Sequence, residues 1–306
     1  MANEFIKAQQ IVDAAVLLLQ REIVLPRLVW RQADAGFVGA LDDTVTLRVP
    51  AVLDAQTRAM RSTTAMTPQD LAETSVAVKL DTHVYQLLNI TDEQLTLDIT
   101  NFARQILAPQ MRAVAEGMED VIATALGAAT WDAAAVPFVE GTDDPYDVAV
   151  DARKALNDLN VPRTGRALVL GSALEAAFLK SDKLSKVNES GTDDALRDAT
   201  ITRVAGFTVV GSNAIDPNEG YAIHQTAIAF GNVAPALPDG AAMKARVATD
   251  GLAMRYLRDY NPTNATGPVD RSLVDAFVGA ASVEEGEEGS ETNRRGVEIA
   301  FTPLGS

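Results

Sequence analysis

The sequence contains no cysteine and only two histidines, His83 and His224, which lie far apart in the chain. Without cysteine there is no disulfide framework, no thiolate nucleophile and no thiolate metal site. With so few histidines, the commonest general base and metal ligand in proteins is nearly missing. These absences weigh against catalysis, and we expect no catalytic residue, no cofactor and no bound metal.

Long apolar runs and positive charge are also scarce. The longest strongly apolar run near the start, Ala14 to Leu19, is far shorter than the roughly 20 residues of a membrane span. Glu4 balances Lys7 ahead of it, which does not fit a secretory signal peptide. The formal net charge of −16 disfavours sequence-independent binding to DNA or RNA and attraction to an anionic membrane. We therefore expect a soluble protein, made inside the cell.

Catalytic motifs are missing as well. The sequence has no G-x-S-x-G elbow, no Walker-type phosphate loop and no G-x-G-x-x-G fingerprint. The best nucleophile candidate is Ser172, which follows an apolar run, but Leu174 stands where an elbow needs glycine. We interpret Ser172 as the N-cap of a helix. A small α/β hydrolase built around Ser172 is kept as an alternative from a different functional class.

The ionisable residues that are present fit structural roles better than catalytic ones. His224 has no nearby carboxylate in sequence other than Glu219, so we expect a structural or surface histidine. His83 points outward on a predicted strand, where a surface pair is expected. Adjacent carboxylates occur in turn-rich or polar contexts, where aspartate is a favoured turn former; these pairs are Asp42-Asp43, Asp143-Asp144 and Asp193-Asp194.

The stretch from Asp98 to Leu126 predicts one long amphipathic helix. Its apolar residues recur at three-and-four spacing, at Ile99, Phe102, Ile106, Val114, Met118, Val121 and Ala125. Asp98 is the expected N-cap. At about 1.5 Å per residue the helix would be roughly 43 Å long. Pro109 predicts a kink, with relaxed backbone bonding in the turn before it.

The residues before this helix predict an arm and a long hairpin. Residues 5–25 form an amphipathic pattern that ends at Pro26, and the stretch to Ala40 needs something to lie against, although an ordinary first helix packed on its own domain is the alternative. Thr44–Val49 and Ser75–Val84 alternate as strands. The connection between them, Ala51–Thr74, is too long for a tight turn and lacks large apolar residues. A neighbouring molecule could order it, or it could be a plain disordered loop.

After the helix the pattern becomes a mixed α/β unit followed by strands. We expect a boundary at Val136–Pro145, and after it the following elements: helix Asp147–Leu159, strand Arg166–Leu170, helix Ala173–Phe178, exposed loop Leu184–Asp198, strand Phe207–Val210, strand or helix Tyr221–Phe230, strands Met243–Val247 and Leu252–Leu257 around a Thr-Asp-Gly turn, and strand Val269–Val283. The acidic tract Glu284–Glu291 predicts a flexible tail, and Val297–Leu304 an edge strand.

Several of these segments together resemble one protein family. They are Ser75–Tyr85 with the run Leu95–Phe102 that follows, Leu159–Leu170, Val204–Ser212, Thr249–Leu252 and Asp270–Leu273. Their order is similar to that of tailed-phage major capsid proteins with the HK97-type fold, and in particular the group of the P22 coat protein. The resemblance covers about residues 1–283.

The resemblance implies an α+β, HK97-like capsid fold with a long spine helix on a β-sheet and a compact mixed α/β domain. The implied division is 1–40 N-arm, 41–90 E-loop hairpin, 91–135 spine helix of the P-domain, 136–242 A-domain, 243–283 returning P-domain strands and 284–306 acidic C-terminal tail. The chain is too short to hold the inserted domain of the P22 coat protein.

The implied function is that of a structural shell subunit, not an enzyme. Copies would self-assemble into hexamers and pentamers of an icosahedral virion that encloses double-stranded DNA without binding it specifically, with assembly in the host cytoplasm. The implied partners are other copies, a portal, a decoration protein where one exists, and a separate scaffolding protein, because no long scaffolding segment precedes the arm. The chain could instead form an encapsulin-like compartment that holds an enzyme, or it could be a soluble monomeric binding module.

Basic residues in the predicted hairpin stand out in an acidic chain. They are Arg48, Arg58, Arg61 and Lys79. We expect these side chains to contact acidic surface on a neighbouring subunit, because opposite charges across an interface steer and align partners.

Overall fold

The structure is a computed structural model that describes residues 24–31, 43–49, 55–63, 65–68, 73–181, 203–249, 252–263, 267–286 and 290–304. In these ranges the helices are α1 Leu25–Leu28, α2 Ala108–Ala128, α3 Pro145–Asp158 and α4 Ser172–Lys180, with π-helical turns at Gln94–Asp98 and Ala103–Leu107. The strands are β1 Thr44–Val49, β2 Thr74–Lys79, β3 Thr82–Thr91, β4 Val136–Val139, β5 Arg166–Leu170, β6 Arg203–Val204, β7 Phe207–Gly211, β8 Glu219–His224, β9 Ile228–Val233, β10 Met243–Thr249, β11 Leu252–Asn261, β12 Val269–Ser282 and β13 Gly296–Thr302.

The central sheet has five antiparallel strands and is organised around β12. The strand order is β10-β11-β12-β3, and β9 pairs with the far end of β12. The register places Leu273 opposite Leu87 on β3 and opposite Leu257 on β11. Since neighbouring residues of a strand point to opposite faces, β12 presents Val274, Ala276 and Val278 to one face and Leu273, Asp275 and Phe277 to the other.

Helix α2 covers the first of these faces, as the sequence predicts. Its buried stripe recurs every three or four residues and packs with Met254, Tyr256, Val274, Ala276 and Val278 in one cluster. The stripe is Leu107, Met111, Val114, Met118, Ile122 and Leu126. Val114 and Met118 are the predicted members of this stripe, whereas Val121 and Ala125 flank it and are partly buried.

A buried polar contact also fixes the position of the helix on the sheet. The amide nitrogen of Gln110 donates to the carbonyl oxygen of Ser272 at 2.9 Å, and the Ser272 hydroxyl donates back to Gln110 at 2.7 Å. Both side chains are buried, and each provides the hydrogen-bond partner that the other needs. This pair of bonds sets the position of α2 along β12.

The start of the long helix differs from the prediction. The backbone turns extended at Ile99, so Asp98 ends a separate π-helical turn and is not an N-cap. Asn101 caps the next turn instead, because its side-chain oxygen accepts from the backbone N–H of Arg104 at 3.1 Å. The turn before Pro109 is π-helical, which confirms the predicted relaxation of its bonding.

The second sheet has six strands in the order β4-β13-β8-β5-β7-β6. Helices α3 and α4 pack on it through a separate core that includes Phe138, Leu156, Leu168, Phe178 and Ile299. The predicted edge strand at 297–304 is wrong in one respect, because β13 lies inside the sheet between β4 and β8. This strand joins the mixed α/β unit from the far end of the chain.

Three further expectations about local structure are wrong. Ser172 is the first residue of α4, and Gly171 holds the N-cap position. Pro26 lies in the first turn of α1 rather than ending a helix, in agreement with its missing N–H donor. The segment 136–145, expected to be an irregular connection, contains β4, which pairs with β13, while the boundary between two lobes expected there stays a prediction.

The acidic tract is partly held by the fold rather than free. Glu285 accepts from the Arg295 guanidinium at 2.8 Å through Nε, and its backbone pairs with Thr292. The tract closes a turn that leads into β13. The predicted loop at 184–198 and the turn at 250–251 lie outside the described residues, as does the predicted helix of residues 5–25 except for its last two positions.

Candidate subunit interface

A two-stranded hairpin, β1 with β2, packs against strands β9 and β12 of the central sheet. Its strands pair antiparallel from Thr44 opposite Lys79 to Val49 opposite Thr74. Alternate residues Leu47, Val49, Val76 and Val78 are buried, and they pack with Ala229 and Val283. The strand alternation in the sequence predicts this buried face correctly, although the second predicted strand is in fact two strands, β2 and β3.

The root of the hairpin is held very close to β12. A Cβ atom added at Gly279 would lie 1.8 Å from the carbonyl oxygen of Lys79 and 3.3 Å from the Cα of Leu80. The backbone N–H of Leu80 donates to the carbonyl of Asp43 at 2.8 Å, which closes the base of the hairpin. Backbone packs on backbone here, so the direction in which the hairpin leaves the subunit is fixed.

The far part of the hairpin is largely exposed in the described part of the subunit. We call residues 55–63 and 65–68 the loop tip. The Met60 side chain is 94% exposed and that of Met66 is 75% exposed. The N–H of Ser62 donates to the carbonyl of Ala59 at 3.2 Å, and Arg61 has a φ of 61°, so the chain reverses at Met60 and Arg61.

The four predicted contact residues occupy two places on the hairpin. Arg58 and Arg61 lie at the loop tip and are exposed. Arg48 is exposed on β1, and the Lys79 ammonium lies 3.7 Å from Asp43 at the root. Arg58 and Arg61 therefore share the loop tip, whereas Arg48 and Lys79 lie on the hairpin strands.

The described segment 24–31 is anchored to the core. A carboxylate oxygen of Glu119 on α2 accepts from the backbone N–H groups of Val24 and Leu25, at 2.9 and 3.2 Å. Trp30 exchanges backbone hydrogen bonds with β9, since its N–H donates to Ile228 and its carbonyl accepts from Phe230. The segment 24–31 thus lies across both α2 and the central sheet.

The candidate catalytic residues are in structural environments. Asp143 accepts from the N–H of Val139 at 2.8 Å, and Asp144 caps α3 by accepting from the N–H of Tyr146 at 2.9 Å. Ser172 is exposed at the start of α4. His83 contacts the buried carboxylate of Asp275 at 3.0 Å. Asp42, Asp193 and Asp194 lie outside the described residues.

The described ranges contain neither a metal cluster nor a membrane helix. No group of three or more histidine or acidic side chains there is arranged to hold a metal ion. No helix in the same ranges has the length and apolar composition needed to cross a membrane.

His224 is buried at the end of β8, where its Nδ1 lies 2.8 Å from the Thr226 hydroxyl. Burial lowers the pKa of His224, and the nearby positive charge of Arg295 lowers it further. The folded state therefore binds this proton less readily than the unfolded state. The His224 contribution consequently favours unfolding as the pH falls below about 6.5.

We expect the free energy of unfolding to fall with pH below that point, by up to about 1.4 kcal/mol per pH unit from this one proton. Urea unfolding followed by tryptophan fluorescence between pH 5 and pH 7 measures the slope. The H224Q variant should lose this component, while H83Q, which keeps His224, should retain it. Equal slopes in the wild type and H224Q would contradict the prediction.

Sequence reasoning missed two features that shape the outer surface. One is the ion pair of Arg255 with Asp275 on the outer face of the central sheet, by which we mean the face opposite α2. The other is the exposed Leu97 in the π-helical turn Gln94–Asp98. The alternation of β11 and β12 could have placed Arg255 and Asp275 on one face, but the pairing register is not visible in the sequence.

The comparison with protein families identifies one match. The model of a family described as phage capsid protein matches residues 72–274. That range runs from the second hairpin strand to the middle of β12 and includes the whole of α2. No curated protein matches the sequence.

Solved structures share the fold at low sequence identity. A structure from Mycobacterium phage Che8 superimposes with a TM-score of 0.64 at 19% identity, covering 99% of this chain and 94% of that chain. The capsid structure of cyanophage P-SCSP1u gives 0.62 at 10% identity, covering 99% and 91%. The acidic stable capsid structure of Helicobacter pylori bacteriophage KHP30 gives 0.60 at 11% identity, covering 98% and 93%. At these identities the likeness concerns the fold.

Proposed function

The chain belongs to the phage capsid protein family, and from that membership we propose how it builds a shell. It is a major capsid protein with an HK97-like fold and forms the shell of the phage head. We propose that its copies self-assemble into the hexamers and pentamers of an icosahedral head around double-stranded DNA. The particular likeness to the P22 coat protein group stays a prediction.

The loop tip is the observation that carries this proposal. It holds Met60 and Met66 almost fully in solvent, at the end of a hairpin whose root is rigidly packed. Apolar side chains held away from the body of a subunit gain stability when a neighbour covers them, at about 25 cal/mol per Å² of apolar surface. Repeated around a closed lattice, such contacts add up to a stable particle.

We propose the domain division that the sequence suggests: N-arm 1–40, E-loop 41–90, spine helix region 91–135, A-domain 136–242, returning strands 243–283 and acidic C-terminal segment 284–306. The division is supported by the two hydrophobic cores, one against α2 and one against α3 and α4, to both of which β5 and β8 contribute. Strands cross between the units, because β3 completes the central sheet and β13 completes the six-stranded one.

The partners follow from the shell role. We propose that a separate scaffolding protein directs assembly in the host cytoplasm, that a portal occupies one vertex, and that a decoration protein, where present, binds outside. The packaged DNA is enclosed without specific binding, since the net charge of −16 repels phosphate. The role is structural, and the subunit carries out no reaction.

Electron microscopy of the expressed protein, alone and with the neighbouring phage proteins, tests the proposal. We expect closed shells of uniform size built from six-fold and five-fold capsomers. A single small species under all these conditions would refute it. Shells that carry an enzyme held on the inner wall would instead identify an encapsulin-like compartment.

Reversing the charge of the loop tip tests the proposed contact residues. In an Arg58→Glu, Arg61→Glu variant we expect particle yield to fall at least tenfold at low salt, because the tip would then repel the acidic surface of its neighbours. Added salt should weaken this effect, since it screens exposed charges. Yield is measured by sedimentation and electron microscopy.

The matched control reverses two arginines away from the tip, Arg112 and Arg163, both exposed on the body of the subunit. It should assemble normally if the position of the charge matters. Unchanged shells from the loop-tip variant would contradict the role assigned to Arg58 and Arg61.

A further inference from the structure

A small pocket opens at the β4 edge of the six-stranded sheet, between the end of β4, the start of α3 and the end of α4. Its volume of about 320 Å³ lies within the range of ligand pockets in proteins. Its apolar walls are Phe138, Pro145, Ala177 and Leu304. Phe138 and Pro145 are buried, so these walls are held in place by the core of the mixed α/β unit.

The segment after β13 closes one side of this pocket. The N–H of Glu140 donates to the carbonyl of Thr302 at 3.0 Å, and the N–H of Leu304 donates to the Glu140 carboxylate at 3.2 Å. The Leu304 side chain also packs on the turn after β4, since a Cβ added at Gly141 would lie 2.5 Å from its Cδ1. The pocket is therefore preformed in the folded subunit, which lowers the cost of binding.

One buried polar group of the pocket lacks a partner. Ser181 follows the last residue of α4, lines the pocket and is only 7% exposed. Its N–H donates to the carbonyl of Phe178 at 3.2 Å, but its hydroxyl has no hydrogen-bond partner in the part of the chain that the structure describes. Because buried hydroxyl groups almost always have a partner, this oxygen indicates a ligand that hydrogen-bonds to it.

The charged side of the pocket is negative. Glu140 and Asp143 line it, and Lys180 is the one basic residue among its described lining residues. The Lys180 ammonium lies 3.6 Å from Glu140, and its side chain is 72% exposed. An ion pair so exposed is weak, so a ligand displaces it at little cost. The end of α4 adds to the negative potential, because the C-terminal end of a helix carries partial negative charge.

We propose that this pocket binds a primary ammonium group carried on an aliphatic chain. The apolar walls enclose the chain, and the ammonium donates to the Ser181 hydroxyl oxygen and to the carboxylates of Glu140 and Asp143. An ammonium has three donors and no acceptor, which matches this set of acceptors. A free aliphatic amine and the lysine side chain of another polypeptide present the same group. The site is separate from the loop tip, and its occupation does not depend on assembly of a shell.

A thiol placed in the pocket tests the proposal, because the chain has no cysteine of its own. In Ser181→Cys the modification rates by cationic aminoethyl and anionic sulfonatoethyl methanethiosulfonate are measured by mass spectrometry and normalised to N-acetylcysteine. We expect the cationic reagent to react about tenfold faster, because a negatively charged cleft concentrates cations. V150C is the matched control. Val150 is exposed on α3 outside this pocket, and Asp147 and Asp151 are near it in sequence, so it should show a much smaller preference.

Charge variants in the S181C background test the acidic side of the pocket. We expect E140Q and D143N each to lower the preference for the cationic reagent by about threefold, because each removes one negative charge from the cleft. K180M should raise the preference by a similar factor, since it removes the ammonium that pairs with Glu140. D151N changes an exposed carboxylate on α3 and should leave the preference unchanged. Circular dichroism confirms that each variant is folded.

Protection by added ligands distinguishes the two sources of the ammonium. We expect n-pentylamine or Nα-acetyl-lysine methylamide to slow the modification of S181C by about threefold when the pocket is mostly occupied. Protection by the first alone identifies a free amine, and protection by the second identifies a lysine side chain. The neutral n-pentanol should not protect. Calorimetric titration of the unsubstituted chain with the same two amines should show binding that E140Q weakens.

Protection by neither amine together with no calorimetric binding would overturn the proposal. Equal protection by n-pentanol, or an equal charge preference in S181C and V150C, would also overturn it. These measurements use the subunit whether or not particles form, so their failure leaves the proposed shell function intact. Absence of shells in electron microscopy would refute the shell function and leave the pocket untouched.

Discussion

The Gly279→Ala variant is expected to lose particle formation and to destabilise the subunit by about 3 kcal/mol, toward the upper end of what overpacking costs. An added Cβ would lie 1.8 Å from the Lys79 carbonyl oxygen. No side-chain rotation relieves this clash, because the backbone fixes the position of the Cβ and the oxygen is itself a backbone atom. The hairpin root must therefore move away from β12. Urea unfolding measures the stability, and sedimentation of assembled material measures the particles.

Gly240→Ala is the matched control for this variant. Nothing lies within 4 Å of a Cβ built at Gly240, so its substitution should leave both stability and assembly unchanged. A G279A protein that assembles like G240A would show that the close approach of β12 to the hairpin root does not set the direction of the hairpin. If G279A loses assembly but keeps the wild-type free energy of unfolding, the defect lies in the direction of the hairpin and not in the stability of the subunit.

The elements that the sequence predicts well are those with one buried face. Thr44–Val49 alternates because Leu47 and Val49 pack against Ala229 and Val283, and β12 alternates because α2 covers one side of it. Helix α2 likewise shows its stripe because it lies on a sheet. In each case the spacing of apolar residues indicates which side of the helix or strand is buried.

The elements that the sequence predicts poorly depend on distant partners. β13 reads as an edge strand because its burial on both sides comes from β4 and β8, far earlier in the chain. The acidic tract looks like a free tail in the sequence, because the pairing of Glu285 with Arg295 forms only in the folded chain. The break at Ile99 is invisible in the apolar spacing, which continues through it.

The candidate interface is half visible in the sequence. A long connection with arginines and without large apolar residues indicates a segment that needs a neighbour, and the structure leaves Met60 and Met66 exposed there. The exposure of Leu97 is missed, because in the sequence it looks like one more apolar residue leading into the helix. Its exposure results from the π-helical turn and the break at Ile99, which no periodicity reveals.

The second large effect concerns the ion pair between β11 and β12. The Asp275 side chain is fully buried and accepts from Nε of Arg255 at 2.9 Å, while His83 contacts the same carboxylate. We expect Asp275→Ala to destabilise the subunit by about 3–5 kcal/mol, because Arg255 is mostly buried and would keep its charge without a carboxylate. Urea unfolding measures the loss.

Asp259→Ala provides the matched comparison on the same two strands. Asp259 and Arg271 are also register partners between β11 and β12, with the charged atoms 2.7 Å apart, but both side chains are about half exposed. Water replaces the lost partner there, so the expected cost is only about 0–1 kcal/mol. Similar losses for the two variants would show that burial of Asp275 does not decide the strength of the pair. A large loss of unfolding free energy for Asp275→Ala alone would show that the buried ion pair of Asp275 with Arg255 stabilises the subunit.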